Sequence, residues 1–191
     1  MSSGGLPKVT DSLRIDGQHV RAGQALAFPI PSERQAALKV RLRTLDAVTL
    51  SDQYADFVQQ WTHRLIRTSR SGTHHILSLT RRGPALLRLR LEDRAPEQAL
   101  QVVARLTIIG GLAAVPSIQE GSLILRLAVR ETEQAGALLE AEVLVEHYAP
   151  LLLALPLPFA LRIRLYRATQ ARIHRAVTTA FLRAIVARTM D

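Results

Sequence analysis

The chain has 191 residues, 48% hydrophobic but only 4% aromatic, a composition that excludes general disorder and calls for a core of Leu, Ile, Val and Ala. It contains no cysteine, which excludes disulfide frameworks, thiolate metal sites and cysteine nucleophiles together. The formal net charge of +9 is nearly all arginine, and two readings stay open: a polyanionic partner, or a compositional arginine bias.

Residues 1–35 read as a lead-in rich in Gly, Pro and Ser. Residues 13–17 and 19–23 form short strands with Gly turns in this reading. Residues 16–26 resemble one hairpin of a biotinyl/lipoyl-type domain but hold no lysine to modify, so they read as a turn and no cofactor is expected. The first eight residues show no apolar signal segment, and the cytoplasm is the expected compartment.

Leu38, Val40 and Leu42 alternate with Lys39, Arg41 and Arg43, the two-residue period of a half-buried strand. A helix capped by Ser51 or Asp52 follows, with Tyr54, Phe57, Val58 and Trp61 near one side. Residues 64–69 and 74–81 pair through a Ser71-Gly72 turn, which would set His75 opposite Thr68 and His63 opposite Thr80. Leu87, Leu89 and Leu91, alternating with Arg88 and Arg90, complete a three-strand meander.

Ala95-Pro96-Glu97 suits the first turn of a helix, with Leu100, Val103, Ala104 and Ile108 on its buried side and Gly110-Gly111 stopping it. Residues 113–118 and 122–130 form a strand pair around Glu120-Gly121. A helix then runs from Thr132 or Glu133 to about Leu155. The apolar run 149–161, broken by Pro150, Pro156 and Pro158, is short of the roughly 20 residues a membrane span needs. A final helix reaches Met190.

The expected fold class is therefore α+β: an antiparallel sheet, three-strand meander plus strand pair, packed by helices, with a long C-terminal amphipathic helix. The expected division is an irregular or hairpin lead-in at 1–35, a core domain at 36–157 and a basic amphipathic helix at 158–191. From Ser51 to Leu155 the order helix, three strands, helix, two strands, helix resembles the type III secretion chaperone-like fold shared with YbjN-type proteins. That resemblance implies a small dimerising domain that binds other proteins.

Catalytic chemistry finds no foothold in the sequence. His74 and His75 are neighbours on a strand and point to opposite faces, so they cannot share a metal. Glu142 and Glu146 lie one helical turn apart with His147 beside them, which reads as an acidic solvated helix face rather than a metal site. There is neither a nucleophile elbow nor a phosphate-binding glycine loop. No catalytic residue, metal or cofactor is assigned, and nothing gives a reason to assert an enzyme.

Charge layout is more informative. No acid occurs between Asp56 and Glu92. If the strand faces coincide, Lys39, Arg41, Arg43, Arg88 and Arg90 form a basic plate that a polyanion could bind by counterion release. The strands lack the paired aromatics of an RNA-reading sheet. On the last helix Ile163, Tyr166, Ile173, Val177, Phe181, Ala184 and Ile185 fall on one side, and Arg164, Arg167, Arg172, Arg175 and Arg183 on the other. Leu165, Leu182 and Val186 interrupt that polar side and disfavour a membrane surface. Ile163, Tyr166, Ile173, Val177, Phe181 and Ile185 are the expected partner interface. The expected function is a non-enzymatic protein-interaction module, chaperone-like or a subunit of a larger assembly, binding a protein partner or its own copy. The alternative is a sequence-nonspecific nucleic-acid binder.

Overall fold

A computed structural model describes residues 8–80, 83–92, 100–114, 120–132 and 136–190. Two strands come first, β1 (Lys8–Asp16) and β2 (His19–Ile30), joined through Gly17, whose φ of 57° suits a two-residue hairpin turn. A single 3-10 turn (Ser32–Arg34) leads into α1 (Gln35–Thr44) and α2 (Ala47–Trp61). Asp46 caps α2, its carboxylate accepting from the Thr49 amide at 2.7 Å; that bond holds the acid below its ordinary pKa. Six strands follow: β3 (Ile66–Ser71), β4 (His74–Leu79), β5 (Ala85–Leu91), β6 (Gln101–Gly110), β7 (Gly121–Thr132) and β8 (Gly136–Tyr148). The chain closes with α3 (Leu151–Ala154), α4 (Phe159–Ala168) and α5 (Gln170–Met190).

All eight strands make one antiparallel sheet in the order β1-β2-β8-β7-β6-β5-β4-β3, open at β1 and β3. Alternation then gives the sheet two unlike faces. Leu26, Leu89, Ala104, Leu106, Leu125, Leu127, Leu139, Ala141 and Val143 point inward and are essentially removed from water. Leu50, Tyr54 and Val58 of α2 and Val177, Phe181, Leu182, Ile185 and Val186 of α5 cover them. The two helices meet through aromatic edges: the Phe181 ring lies 5.0 Å from Tyr54 and 5.6 Å from Phe57.

The expected α+β class, antiparallel sheet and long C-terminal helix are present, but several elements differ from expectation. Residues 38–43 are helical, not a strand: only Leu38 and Leu42 are buried, while Val40 is 61% exposed. Positions i and i+4 satisfy a two-residue and a 3.6-residue period alike, so six alternating residues do not separate the two. The helix expected up to Gly110 is β6 over its described part, with Val102, Ala104 and Leu106 inward. Its β-branched Val102, Val103, Thr107, Ile108 and Ile109 favour extended backbone. The expected opening at Ala95-Pro96-Glu97 lies outside the described residues.

The helix expected up to Leu155 is β8 and the short α3. Ala137, Leu139, Ala141, Val143 and Val145 are buried at every second position, and its expected start at Glu133 lies outside the described residues. Of the expected strand pair, 122–130 lies within β7; Ala113 lies in a turn, Ala114 makes an isolated antiparallel bridge with Pro150, and 115–118 lie outside the described residues. The β3–β4 turn is Gly72-Thr73, so His75 pairs with Arg70 rather than Thr68, and His63 precedes β3. The order between α2 and α3 is therefore six strands without a helix among the described residues. The element order behind the resemblance to the secretion-chaperone fold is not the order of this chain.

The last helix is also divided. At Thr169, φ −120° and ψ −86° break α4 from α5, and the Thr169 hydroxyl donates to the Leu165 carbonyl at 2.6 Å. No helix in the described residues is long and apolar enough to cross a membrane. Because Phe181 is 4% exposed and touches both α2 aromatics, Phe181→Ala is expected to lower unfolding free energy by about 3–5 kcal/mol. Guanidinium denaturation of the two proteins checks this.

Candidate functional site

α2 and α5 meet over the inner face of the sheet, and at the α4–α5 junction Tyr166 packs on Val20 and Ala22 of β2. The space left is a cavity of about 460 Å³. Its floor is β2, β4, β5, β7 and β8, through Val20, Ala22, Leu77, Leu89, Leu123 and Val145. Its roof is Tyr54 and Val58 of α2, with Tyr166, Thr169, Gln170, Ile173, His174 and Val177 of the last two helices. Leu112, Leu151 and Ile173 line it while remaining 53%, 43% and 58% exposed, and so mark its mouth.

The polar groups in this apolar space are few. The chain has three tyrosines, and all three, Tyr54, Tyr148 and Tyr166, line the cavity. Tyr148 is fixed: its hydroxyl donates to the Ala113 carbonyl at 2.5 Å and accepts from the Gln170 amide, which also reaches Ala113 at 3.3 Å. This cluster ties the start of α5 to the end of β8. Tyr54 and Tyr166 hydroxyls have no hydrogen-bond partner among the described residues. Burial pushes both phenols up to about 12, so they remain protonated donors at neutral pH. An apolar pocket with a few placed donors is the general form of a small-molecule site.

Expected site residues fall elsewhere or are already occupied. Tyr166, Val177, Phe181 and Ile185 of the expected partner interface are buried in the chain's own core; Ile163 is half-buried and Ile173 sits at the cavity mouth. Leu182 and Val186, which seemed to interrupt a polar side, are 1% and 5% exposed core residues, and Leu165 alone of the three stays exposed. Lys39, Arg41 and Arg43 project from α1 in the helical layer, with Lys39 bonded to Glu131 at 2.7 Å. Arg88 and Arg90 project from β5 on the opposite, outer face, with Arg90 3.5 Å from Glu120. The two groups do not form one plate.

The outer face is instead a set of cross-strand pairs around β8. Glu140, Glu142 and Glu146 meet Arg130, Arg126 and Arg21 at 3.4, 2.7 and 3.2 Å. Glu142 and Glu146 do share a face, through strand rather than helix period. Among the described residues no histidine or carboxylate cluster could hold a metal. Neither His63 nor Glu142 lines the cavity.

Ser51, Asp52 and His75 come together beside the cavity and form no catalytic triad. The Ser51 hydroxyl donates to the Val48 carbonyl at 2.8 Å, so His75 Nε2 donates to Ser51 at 3.2 Å. Asp52 approaches that same nitrogen at 3.8 Å, leaving nothing to orient the ring for base work, and Ser51 and His75 are buried. Burial lowers the His75 pKa against the opposing pull of Asp52, with Arg70 adding to the depression. Burial also lowers His174, against Asp11. Both groups resist protonation more in the fold than in the unfolded chain, which therefore takes up protons first as pH falls. Their contribution is present above the unfolded value of 6.5 and is lost as pH falls through the depressed folded values. Unfolding free energy is expected to fall between pH 7 and pH 5, less steeply in His75→Gln; denaturant titrations across that range check it.

Sequence reasoning missed Tyr148, Gln170 and His174 because each owes its place to β2–β8 pairing and the break at Thr169. The signal available was the scarcity of tyrosine itself.

No family model matches the chain, and no curated protein matches it. Some solved structures are similar at low level. Protein XoxI from Bacillus cereus is 14% identical, with a TM-score of 0.36, over 85% of this chain and 95% of that one. Ara h 8.0201 is 14% identical, TM-score 0.38, over 85% and 97%. EF2215 from Enterococcus faecalis, a conserved protein of unknown function, is 12% identical, TM-score 0.27, over 72% and 62%. These scores carry no argument about activity or ligand.

Proposed function

We propose that this chain binds a largely apolar small molecule between its sheet and its C-terminal helices. The supporting observation is the 460 Å³ cavity with its aliphatic wall and the unpaired Tyr54 and Tyr166 hydroxyls. Burying a ligand there removes apolar surface from water at about 25 cal/mol per Å², and the phenols orient whatever acceptor it carries. A fluorescent alkyl probe is expected to bind the native chain with a blue shift. Val58→Trp, which fills the cavity from α2, is expected to weaken that binding on the order of 10-fold or more while leaving the circular dichroism unchanged. Undiminished binding by the filled variant would place the probe elsewhere and end this reading.

The second reading is the interaction module, chaperone-like or a subunit of an assembly. It is favoured by Phe159, Leu161 and Leu165 of α4, which are 49%, 43% and 37% exposed on one short helix. Light scattering is expected to give a mass above that of one chain, reverting to a monomer in Leu161→Ser/Leu165→Ser. A monomeric native chain at high concentration removes self-association. Sequence-nonspecific nucleic-acid binding has the weaker basis, since Arg41 and Arg43 stand on α1 and Arg88 on the other side of the sheet.

A further inference from the structure

The apolar cavity has a polar neighbour. A groove of about 330 Å³ runs between the β1–β2 hairpin and the α4–α5 junction, with Asp11, Gln24, Arg167, Arg172 and Arg175 on its walls. Ala22, Tyr166 and His174 line both spaces, so cavity and groove share one wall. Their chemistry is opposite. One is largely apolar; the other has three guanidiniums and one carboxylate on its walls.

That carboxylate is already taken, because Asp11 bonds Arg175. Arg167 and Arg172 are exposed and have no partner among the described residues. On the sheet, by contrast, Arg21, Arg90, Arg126 and Arg130 each have a carboxylate partner. The groove is thus a place where positive charge is left uncompensated directly beside a space that takes hydrocarbon. A neutral apolar ligand would use only the cavity, and a small anion only the groove.

We propose that the ligand is a single-chain amphiphile with an anionic head group, its hydrocarbon in the cavity and its head held between Arg167 and Arg172. This rests on the cavity being the ligand site. Guanidinium offers a planar pair of donors that fits carboxylate and phosphate equally, so the head is assigned by charge and geometry rather than by element. Tyr166 and His174, in the shared wall, are the side chains that shift to let one molecule occupy both spaces.

Three probes of equal chain length separate the outcomes: dodecanoate, dodecyl phosphate and dodecanol, titrated by calorimetry or probe displacement. The anions are expected to bind tighter than the alcohol, on the order of 10-fold, and Arg167→Gln/Arg172→Gln is expected to remove that advantage without changing dodecanol affinity. The stronger of the two anions identifies the head group. Equal affinity for all three, or an anion preference that survives the double variant, overturns the head-group assignment while leaving the cavity intact. Failure of dodecanol and both anions to bind overturns the cavity reading and this proposal with it. Both arginines are exposed, so the variant keeps its core, and an unchanged melting temperature confirms that.

Discussion

Everything else in this structure depends on how α5 lies against the inner face of the sheet. That face is apolar from β2 to β5, and leaving it in water would cost far more than a domain's net stability. Phe181 settles the contact by meeting Tyr54 and Phe57 of α2, so two helices far apart in sequence close over the sheet together. At the other end Gln170 is held by Tyr148 and the Ala113 carbonyl, and the chain breaks at Thr169. The same helix is thereby anchored at two places, by ring packing at Phe181 and by hydrogen bonds at Gln170. The cavity lies between those two anchor points.

Charge follows the same division between faces. On the outer face β8 supplies glutamates and its neighbours β7 and β2 supply arginines, pair by pair. Exposed pairs of this kind are each worth under about 1 kcal/mol, so they do little to hold the fold. Their effect is to cancel charge across the middle of the sheet. The net charge of +9 is then carried in part by Arg41 and Arg43 of α1 and by the α4–α5 junction, which lies in a stretch, 147–190, that holds no acid. An excess that looks uniform in composition is uneven on the molecule.

The errors of sequence reading share one cause. In 38–43 strict alternation belongs to a helix, because only Leu38 and Leu42 find a surface to pack on. In β8, Glu142 and Glu146 suit a helix turn and a strand face equally, and burial of Ala141, Val143 and Val145 decides for the strand. Residues four apart lie on one side in either conformation, so short apolar runs leave the choice to the partner surface. Tyr54 was legible as a core-facing residue of α2. That its hydroxyl would remain unpaired was not, because the surroundings of that hydroxyl are set by tertiary contacts such as the one with Phe181 of α5.

The sequence by itself determined that this chain has a mainly aliphatic interior, an antiparallel sheet with helices, no thiol chemistry, and a C-terminal segment with an apolar stripe and an arginine side. Those properties follow from composition and local periodicity, which act within a few residues. Tertiary structure alone decided that the stripe is spent on the chain's own sheet, that the arginines of α1 and β5 stand on opposite faces, and that all three tyrosines gather around one cavity. The gathering of the tyrosines depends on pairing β2 with β8, more than a hundred residues later, and no local pattern encodes a contact of that range.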